Sequence, residues 1–299
     1  MKRYFYSSII ALGFSLVSCY NPQSDPHIES GKSTDNKDKV SIKISGSTTM
    51  LPIMELISEH YMMGHKNYDF VYDAQGSNLG MKSLFEDKAD LAMSSNHIST
   101  TAKTEFRKNK SEYVELLLAG DALVFAVNVN NPVQKLTKEQ VEQIFTGKIQ
   151  NWKDLGGEDL PIIVLSRDSL SGTYSFLKET VLHENKMANN KEVLNSNEEI
   201  LQRVSADKST IAYTSFSSLN YSVEPVNISF DSGKTYVKPR VETVNNMYYK
   251  YFRGLYLYYK PNKYEKLKSF IQTVKSDTVQ TLIKKNRYIP INNSLIQNQ

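Results

Sequence analysis

The sequence predicts an α/β protein built on mainly parallel sheets and folded as two lobes with a cleft between them. Three observations carry this. From Val40 onward short apolar strands alternate with helices, the order that builds a parallel sheet. Glycine, serine and threonine gather in the turns that follow strands. The foldable stretch of roughly 260 residues also reaches the length at which a single core stops growing, about 250–300 residues.

The chain opens on an address rather than a folded element. Lys2 and Arg3 give a positive start, and Ile9 to Val17 is a short apolar run. That run is too short to cross a hydrocarbon layer of about 30 Å as a helix, so residues 1–18 read as an export signal peptide. Cys19 is the only cysteine in 299 residues and has no partner for an internal disulfide. Leu16-Val17-Ser18-Cys19 resembles the bacterial lipobox, in which the thiol is lipidated and the chain is cut just before it. The alternative is an ordinary leader followed by a stray cysteine. Residues 19–39 are rich in Asn, Ser, Asp, Lys and Pro and read as a flexible tether.

Beyond the tether the elements follow in order. Val40–Ser45 alternates like a half-buried strand, and Met50–Met63 carries apolar residues at helical spacing. Phe70–Tyr72 is a second strand, Leu79–Glu86 a helix and Ala89–Met93 a third strand. Ala122–Val129 is a near-continuous apolar strand. Thr137–Phe145 is a short helix in which Thr137 and Gln140 form a capping-box pattern. Pro161–Leu165 is another strand, followed by a helix from about Tyr174. Ile200–Val204 reads as helix, Thr210–Thr214 and Gly254–Tyr259 as strands, and Lys263–Lys275 as a late helix. No internal repeat is visible.

Four turns share one design: Gly46–Thr49, Gly76–Asn78, Ser94–Asn96 and Ser171–Thr173. Each follows a strand and opens a helix or turn. Helix N-termini present unpaired N–H groups and bind anions, while glycine admits close backbone approach. Any one such turn is more often an ordinary N-cap than a ligand contact; four in one chain point to an anion site. In open α/β sheets such turns meet beyond the carboxyl ends of the strands. Arg167, just before the fourth turn, supplies a guanidinium that can clamp an oxyanion with two parallel hydrogen bonds. Alone, it would read as a surface ion-pair residue.

Other chemistries find little support. Net charge is +4, falling to +2 once Lys2 and Arg3 leave, with the charges mixed along the chain, which argues against nucleic acid. His60 and His65 are spaced wrongly for one helical face, and His27, His97 and His183 stand apart, so no metal site is expected. Nineteen tyrosines, dense at Tyr248–Tyr259, suggest a stacking surface. Leu255 and Leu257 alternating with Tyr256 and Tyr258 fit better as a strand covered on both faces. Gly-x-Ser-x-Gly, P-loop and His-Glu-x-x-His signatures are all missing from the sequence. A phosphatase would need a nucleophile with metals or a histidine, and none stands in a usable array.

Several segments together resemble one family. Ser45-Gly46-Ser47-Thr48-Thr49, Gly76-Ser77, Ala89–Ser95, Ile144–Lys148, Asn151–Gly157, Ser166-Arg167, Ser171-Gly172-Thr173 and Ile211–Tyr213 are collinear over about residues 42–290. In this they resemble the phosphate-binding proteins of bacterial phosphate ABC transporters. The resemblance implies the two-lobe periplasmic-binding-protein fold (type II), closing by hinge motion. Residues 40–122 plus 223–299 would form the first lobe and 123–222 the second. It implies a phosphate site made of Thr48, Thr49, Ser77, Arg167, Ser171, Gly172 and Thr173, with Ser47 and Ser95 beside them. Phosphate would be captured without cofactor or metal and passed to membrane permease subunits by a monomer. That monomer would be held through Cys19 to the periplasmic face of the cytoplasmic membrane.

The chain departs from part of the family in the third turn. Some members carry aspartate where this chain has Ser95, and many shorter relatives have arginine where it has Asn96. A buried aspartate accepts the proton of phosphate and repels sulfate, which has none to give; a serine makes a weaker test. Asp168 and Asp121 are candidate substitutes. Binding of another tetrahedral oxyanion, sulfate or molybdate, therefore stays open. So does a surface lipoprotein on the same scaffold with no transport role.

Overall fold

The computed structural model describes residues 39–291. The expected signal peptide over 1–18, Cys19 and the expected tether as far as residue 38 lie outside the described residues. The first strand–helix units are β1 (Val40–Gly46), α1 (Leu51–Gly64), β2 (Tyr68–Asp73), α2 (Ser77–Phe85), β3 (Leu91–Ser94) and α3 (Thr100–Lys108). Next come β4 (Val114–Asn128), β5 (Lys135–Thr137), α4 (Lys138–Phe145), β6 (Ile163–Arg167), α5 (Gly172–Thr180), β7 (Glu192–Leu194) and α6 (Asn197–Ala206). The rest is β8 (Thr210–Ser215), β9 (Val223–Pro225), β10 (Asn227–Ser229), α7 (Val241–Asn245), β11 (Phe252–Tyr259), α8 (Tyr264–Val274) and α9 (Asp277–Lys285).

The main sheet runs β2-β1-β3-β11-β4-β8-β6-β7, with β9 paired to β4 off this path. Its flanks are parallel: β1 pairs with β2 and β3, and β6 with β7 and β8. The two middle strands, β11 and β4, run antiparallel to their neighbours. β4 links the two flanks. Val114–Ala122 pair with β11, whereas Leu123–Val127 pair with β8.

β4 starts well before Ala122, where the sequence reading began it. Gly120-Asp121 looks like a strand break, yet both residues fit the ladder. A side chain at Gly120 would strike the Phe252 ring and Ile289, so only glycine fits there. The Asp121 charge is met by Arg253 on the partner strand.

Each flank has its own core, layered on both faces. On the first, Ile42, Ile44, Leu255 and Leu257 pack under α1, α8 and α9. Met81, Leu84, Phe106, Tyr256 and Tyr258 pack on the other face under α2 and α3. The alternation along β11 thus covers both faces, as expected from Leu255 to Tyr258. On the second flank Phe125, Phe145, Trp152 and Tyr213 form the larger core, and Ala126, Leu165, Ile200 and Val204 the smaller. Thr137 closes the expected capping box: its hydroxyl accepts from Gln140 N–H at 3.2 Å, and Gln140 Oε1 accepts from Thr137 N–H at 2.9 Å.

Residues 223–251 belong with this second core. β9 pairs with Ala126–Asn128 of β4, and Val226, Ile228, Val244, Tyr249 and Tyr251 pack with Phe125 and Phe145. The chain rejoins the first flank at β11. Among the described residues no helix is long and apolar enough to cross a membrane.

Candidate functional site

The four turns meet where β4 passes from one flank to the other. After β1 the chain turns at Gly46, whose φ of 133° and tight fit against the Met93 carbonyl exclude any side chain. Ser47, buried, donates its N–H to that same carbonyl at 2.9 Å. This clamps the first turn to the end of β3. Gly76, at φ 125°, donates to the Gly46 carbonyl at 2.8 Å, which brings the start of α2 alongside. Ser77 then accepts from Ser95 N–H at 3.1 Å, and the two hydroxyl oxygens lie 3.3 Å apart.

The fourth turn comes in from the other flank. Ser171 caps α5, its hydroxyl accepting from the N–H groups of Thr173 at 3.2 Å and Tyr174 at 3.3 Å. Asn78 ties this turn to the second one through Leu170 O at 3.2 Å and Ser169 O at 3.1 Å. Gly172 faces Ser77 and Ser95 so closely that a methyl group would lie 2.6 Å from Ser95 Oγ and nearer still to Ser77 Oγ. Thr49 and Thr173 also meet, hydroxyl to hydroxyl, at 3.5 Å.

Arg167 ends β6 beneath these turns and is only 2% exposed. Its Nη1 donates to Thr48 Oγ1 at 3.3 Å and to Asn197 Oδ1 at 3.2 Å, and Nη2 donates to Asn195 O at 2.7 Å. Its Nε is buried with no hydrogen-bond partner in the protein. Asp168 Oδ2 stands 3.8 Å from Nη2. Burial lowers the guanidinium pKa, and the Asp168 charge partly offsets this; an arginine remains cationic all the same. All nine residues expected from the sequence are thus gathered in one place: Ser47, Thr48, Thr49, Ser77, Ser95, Arg167, Ser171, Gly172 and Thr173.

Behind these residues stands a supporting layer of which the sequence pointed only to Asp121. Asn197 Nδ2 donates to Thr49 Oγ1 at 3.1 Å, and Tyr288 Oη donates to the Thr49 carbonyl at 2.8 Å. Arg253 Nη1 donates to Thr173 Oγ1 at 2.9 Å, while Nε and Nη2 hold Asp121 Oδ2 at 3.1 and 2.8 Å. Asp121, one proposed substitute acceptor, is therefore committed to Arg253 and also accepts from Ser215 and Ser217. Asp168, the other, accepts from Leu170 N–H at 2.7 Å. The lining is made of hydroxyls, amide N–H groups and one cation. It can surround a small anion, and no nucleophile–base pair stands in it.

The chain is similar to several known proteins. A family model described as a PBP superfamily domain matches residues 31–278. A phosphate-binding protein PstS of Borreliella burgdorferi is 32% identical over 87% of this chain and 92% of its own length. One from Staphylococcus epidermidis is 30% identical over 77% of this chain and 72% of its own. A Clostridium perfringens protein, assigned as a phosphate ABC transporter substrate-binding protein and solved with phosphate bound, superposes with a TM-score of 0.77. It is 32% identical, covering 84% of this chain and all of that one. An ABC-type phosphate transport receptor from Vibrio cholerae gives a TM-score of 0.67 at 29% identity, covering 83% of this chain and 99% of that one. The fold is accordingly the two-lobe periplasmic-binding-protein fold (type II) that the sequence led us to expect. On the family match and on relatives that align along most of its length, the chain belongs to the phosphate-binding proteins of bacterial phosphate ABC transporters.

Proposed function

We propose that the chain is a lipid-anchored, extracytoplasmic solute-binding protein that captures inorganic phosphate and delivers it to the permease subunits of an ABC importer. One observation carries the reading. The Arg167 guanidinium is buried, its Nε has no protein partner, and its nearest carboxylate is 3.8 Å away. A buried charge costs several kcal/mol unless it is paired. A small dianion seated among Thr48, Thr49, Ser77, Ser95, Ser171, Thr173 and the Gly172 N–H supplies that pairing, with Ser47 supporting the first turn. A micromolar Kd needs about 8 kcal/mol, and a hydrogen bond to a charged group gives roughly 1.5–3 kcal/mol. A handful of such bonds is enough, with a surplus to offset closure and ordering.

The lobes are residues 40–122 with 252–291, and 123–251. We set the return crossing at β11 rather than at residue 223 because residues 223–251 pack with the Phe125 core. Closure about β4 and β11 would report occupancy to the permease. Cys19 would carry the lipid, and the protein would act as a monomer.

A second reading has its own support. Ser95 is neutral where an acidic acceptor would reject sulfate, so sulfate or molybdate could be the cargo. Titration calorimetry on the delipidated protein decides between them. The expected result is phosphate binding at or below about 1 μM with weak competition from sulfate and molybdate. Preferential binding of either rival reassigns the cargo. A protein that binds none of the three would be a surface lipoprotein without a transport role.

A further inference from the structure

We infer that Arg253 is a positioning residue of the anion site, acting through Thr173 to hold that hydroxyl as a donor; the inference rests on the proposed phosphate reading. Arg253 is 3% exposed and Asp121 is fully buried. Asp121 takes two of the guanidinium's N–H groups as well as Ser215 Oγ and Ser217 N–H. The charge of Arg253 is thereby neutralised, and it is not a second counter-charge for the ligand. Phe176 of α5 lies under the guanidinium, 6.0 Å from ring centre to carbon. What remains free of Asp121 is Nη1, and that group donates to Thr173 Oγ1.

A hydroxyl has one proton and two lone pairs, and its proton rotates to suit its neighbours. An N–H fixed on one side turns the O–H away from it. For Thr173, Arg253 sits on one side and Thr49, at 3.5 Å, on another. The same device recurs around the ring. Thr48 has Arg167 Nη1 behind it, Thr49 has Asn197 Nδ2, and Ser77 has the Ser95 N–H. Each hydroxyl is thus backed by an N–H and presents its proton to the anion. Three of these backing groups come from the site or its immediate wall. The fourth comes from β11, beside the point where β4 changes partners, so Arg253 also ties the aim of Thr173 to that junction.

The test is a double-mutant cycle read by phosphate calorimetry on the parent, Arg253→Lys, Thr173→Val and the double variant. Lysine keeps a charge for Asp121 but lacks the fork needed to reach Thr173 as well. Each single variant is expected to weaken phosphate binding about tenfold or more. The double variant should bind no more weakly than Thr173→Val alone, and Thr173→Ser should return close to the parent. Parent-like affinity in Arg253→Lys, or a double variant losing the product of both effects, overturns the inference. A second readout needs no change at Arg253. In ¹H–¹⁵N spectra of the parent, saturating phosphate should shift the Arg253 guanidinium signals, and in Thr173→Val it should not. No shift in the parent, or a shift that survives in Thr173→Val, also overturns it. A parent that ignores phosphate altogether sinks the proposed function itself.

Discussion

Gly172, at the first position of α5, faces the Ser77 side chain at the start of α2 with no room between them for a methyl group. The backbone at Gly172 does not have a positive φ, so alanine is excluded by space and not by conformation. The neighbours that would have to yield are Ser77 and Ser95, whose oxygens belong to the site. Gly172→Ala should therefore push the second and fourth turns apart. Overpacking typically costs 1–3 kcal/mol, so phosphate affinity should fall by roughly 10- to 100-fold. Calorimetry checks this, and circular dichroism should show the fold retained.

Arg167→Ala removes the guanidinium that the site leaves partly unpaired. With about two charge-assisted bonds lost at roughly 1.5–3 kcal/mol each, phosphate affinity should drop by at least about 100-fold. The variant should still fold, because the Arg167 side chain pairs with no carboxylate at hydrogen-bonding distance and its backbone N–H bond to Tyr213 Oη is kept. Binding as tight as the parent's would mean that the anion does not sit on this residue.

The sequence was most legible where apolar periodicity is strong. Leu255 and Leu257 against Tyr256 and Tyr258 gave β11 and both its covers, and Thr137 with Gln140 gave the start of α4. It was least legible where few side chains are buried. α3 buries only Phe106, and α9 only Val279 and Ile283, so neither shows a clear stripe. The four turns could be read because each carries its own glycine or hydroxyls after a strand. Of the layer behind them only Asp121 was singled out, as a candidate acceptor for the anion and not as the partner of Arg253. Asp121 and Arg253 are single charges inside apolar or aromatic runs, and that isolation was the available clue. Only the β4–β11 register, which sets Arg253 opposite Asp121, joins them.

Cys19→Ser tests the proposed anchor in cells. The parent should incorporate labelled palmitate and fractionate with the membrane. The variant should lose the label and keep its uncut leader, seen as a larger mass, with phosphate affinity unchanged once purified. Label retained in the variant would show that Cys19 is not the lipidated residue.

Asp90 gives a pH prediction separate from the ligand. Its Oδ2 accepts from the Lys43 N–H of β1 at 2.9 Å and from Lys266 Nζ of α8 at 2.6 Å, with Lys263 Nζ 3.6 Å from Oδ1. Burial alone would raise its pKa, but the bonds from Lys266 and Lys43 and the nearby charge of Lys263 outweigh this and hold it below the ordinary 3.8. A carboxyl whose pKa is depressed by folding stabilises the folded state above its unfolded pKa. That contribution is lost as pH falls through the folded value. Asp90→Asn keeps the shape but cannot accept in the same way, so it should cost about 1–3 kcal/mol at neutral pH. For a domain of this size each kcal/mol moves Tm by roughly 2–4 °C. In thermal melts the gap between parent and variant should be widest near neutrality. It should narrow as pH drops below the ordinary aspartate range, because the parent's own carboxylate is then protonated. A gap that stays constant down to acid unfolding would show that Asp90 acts through packing and not through its charge.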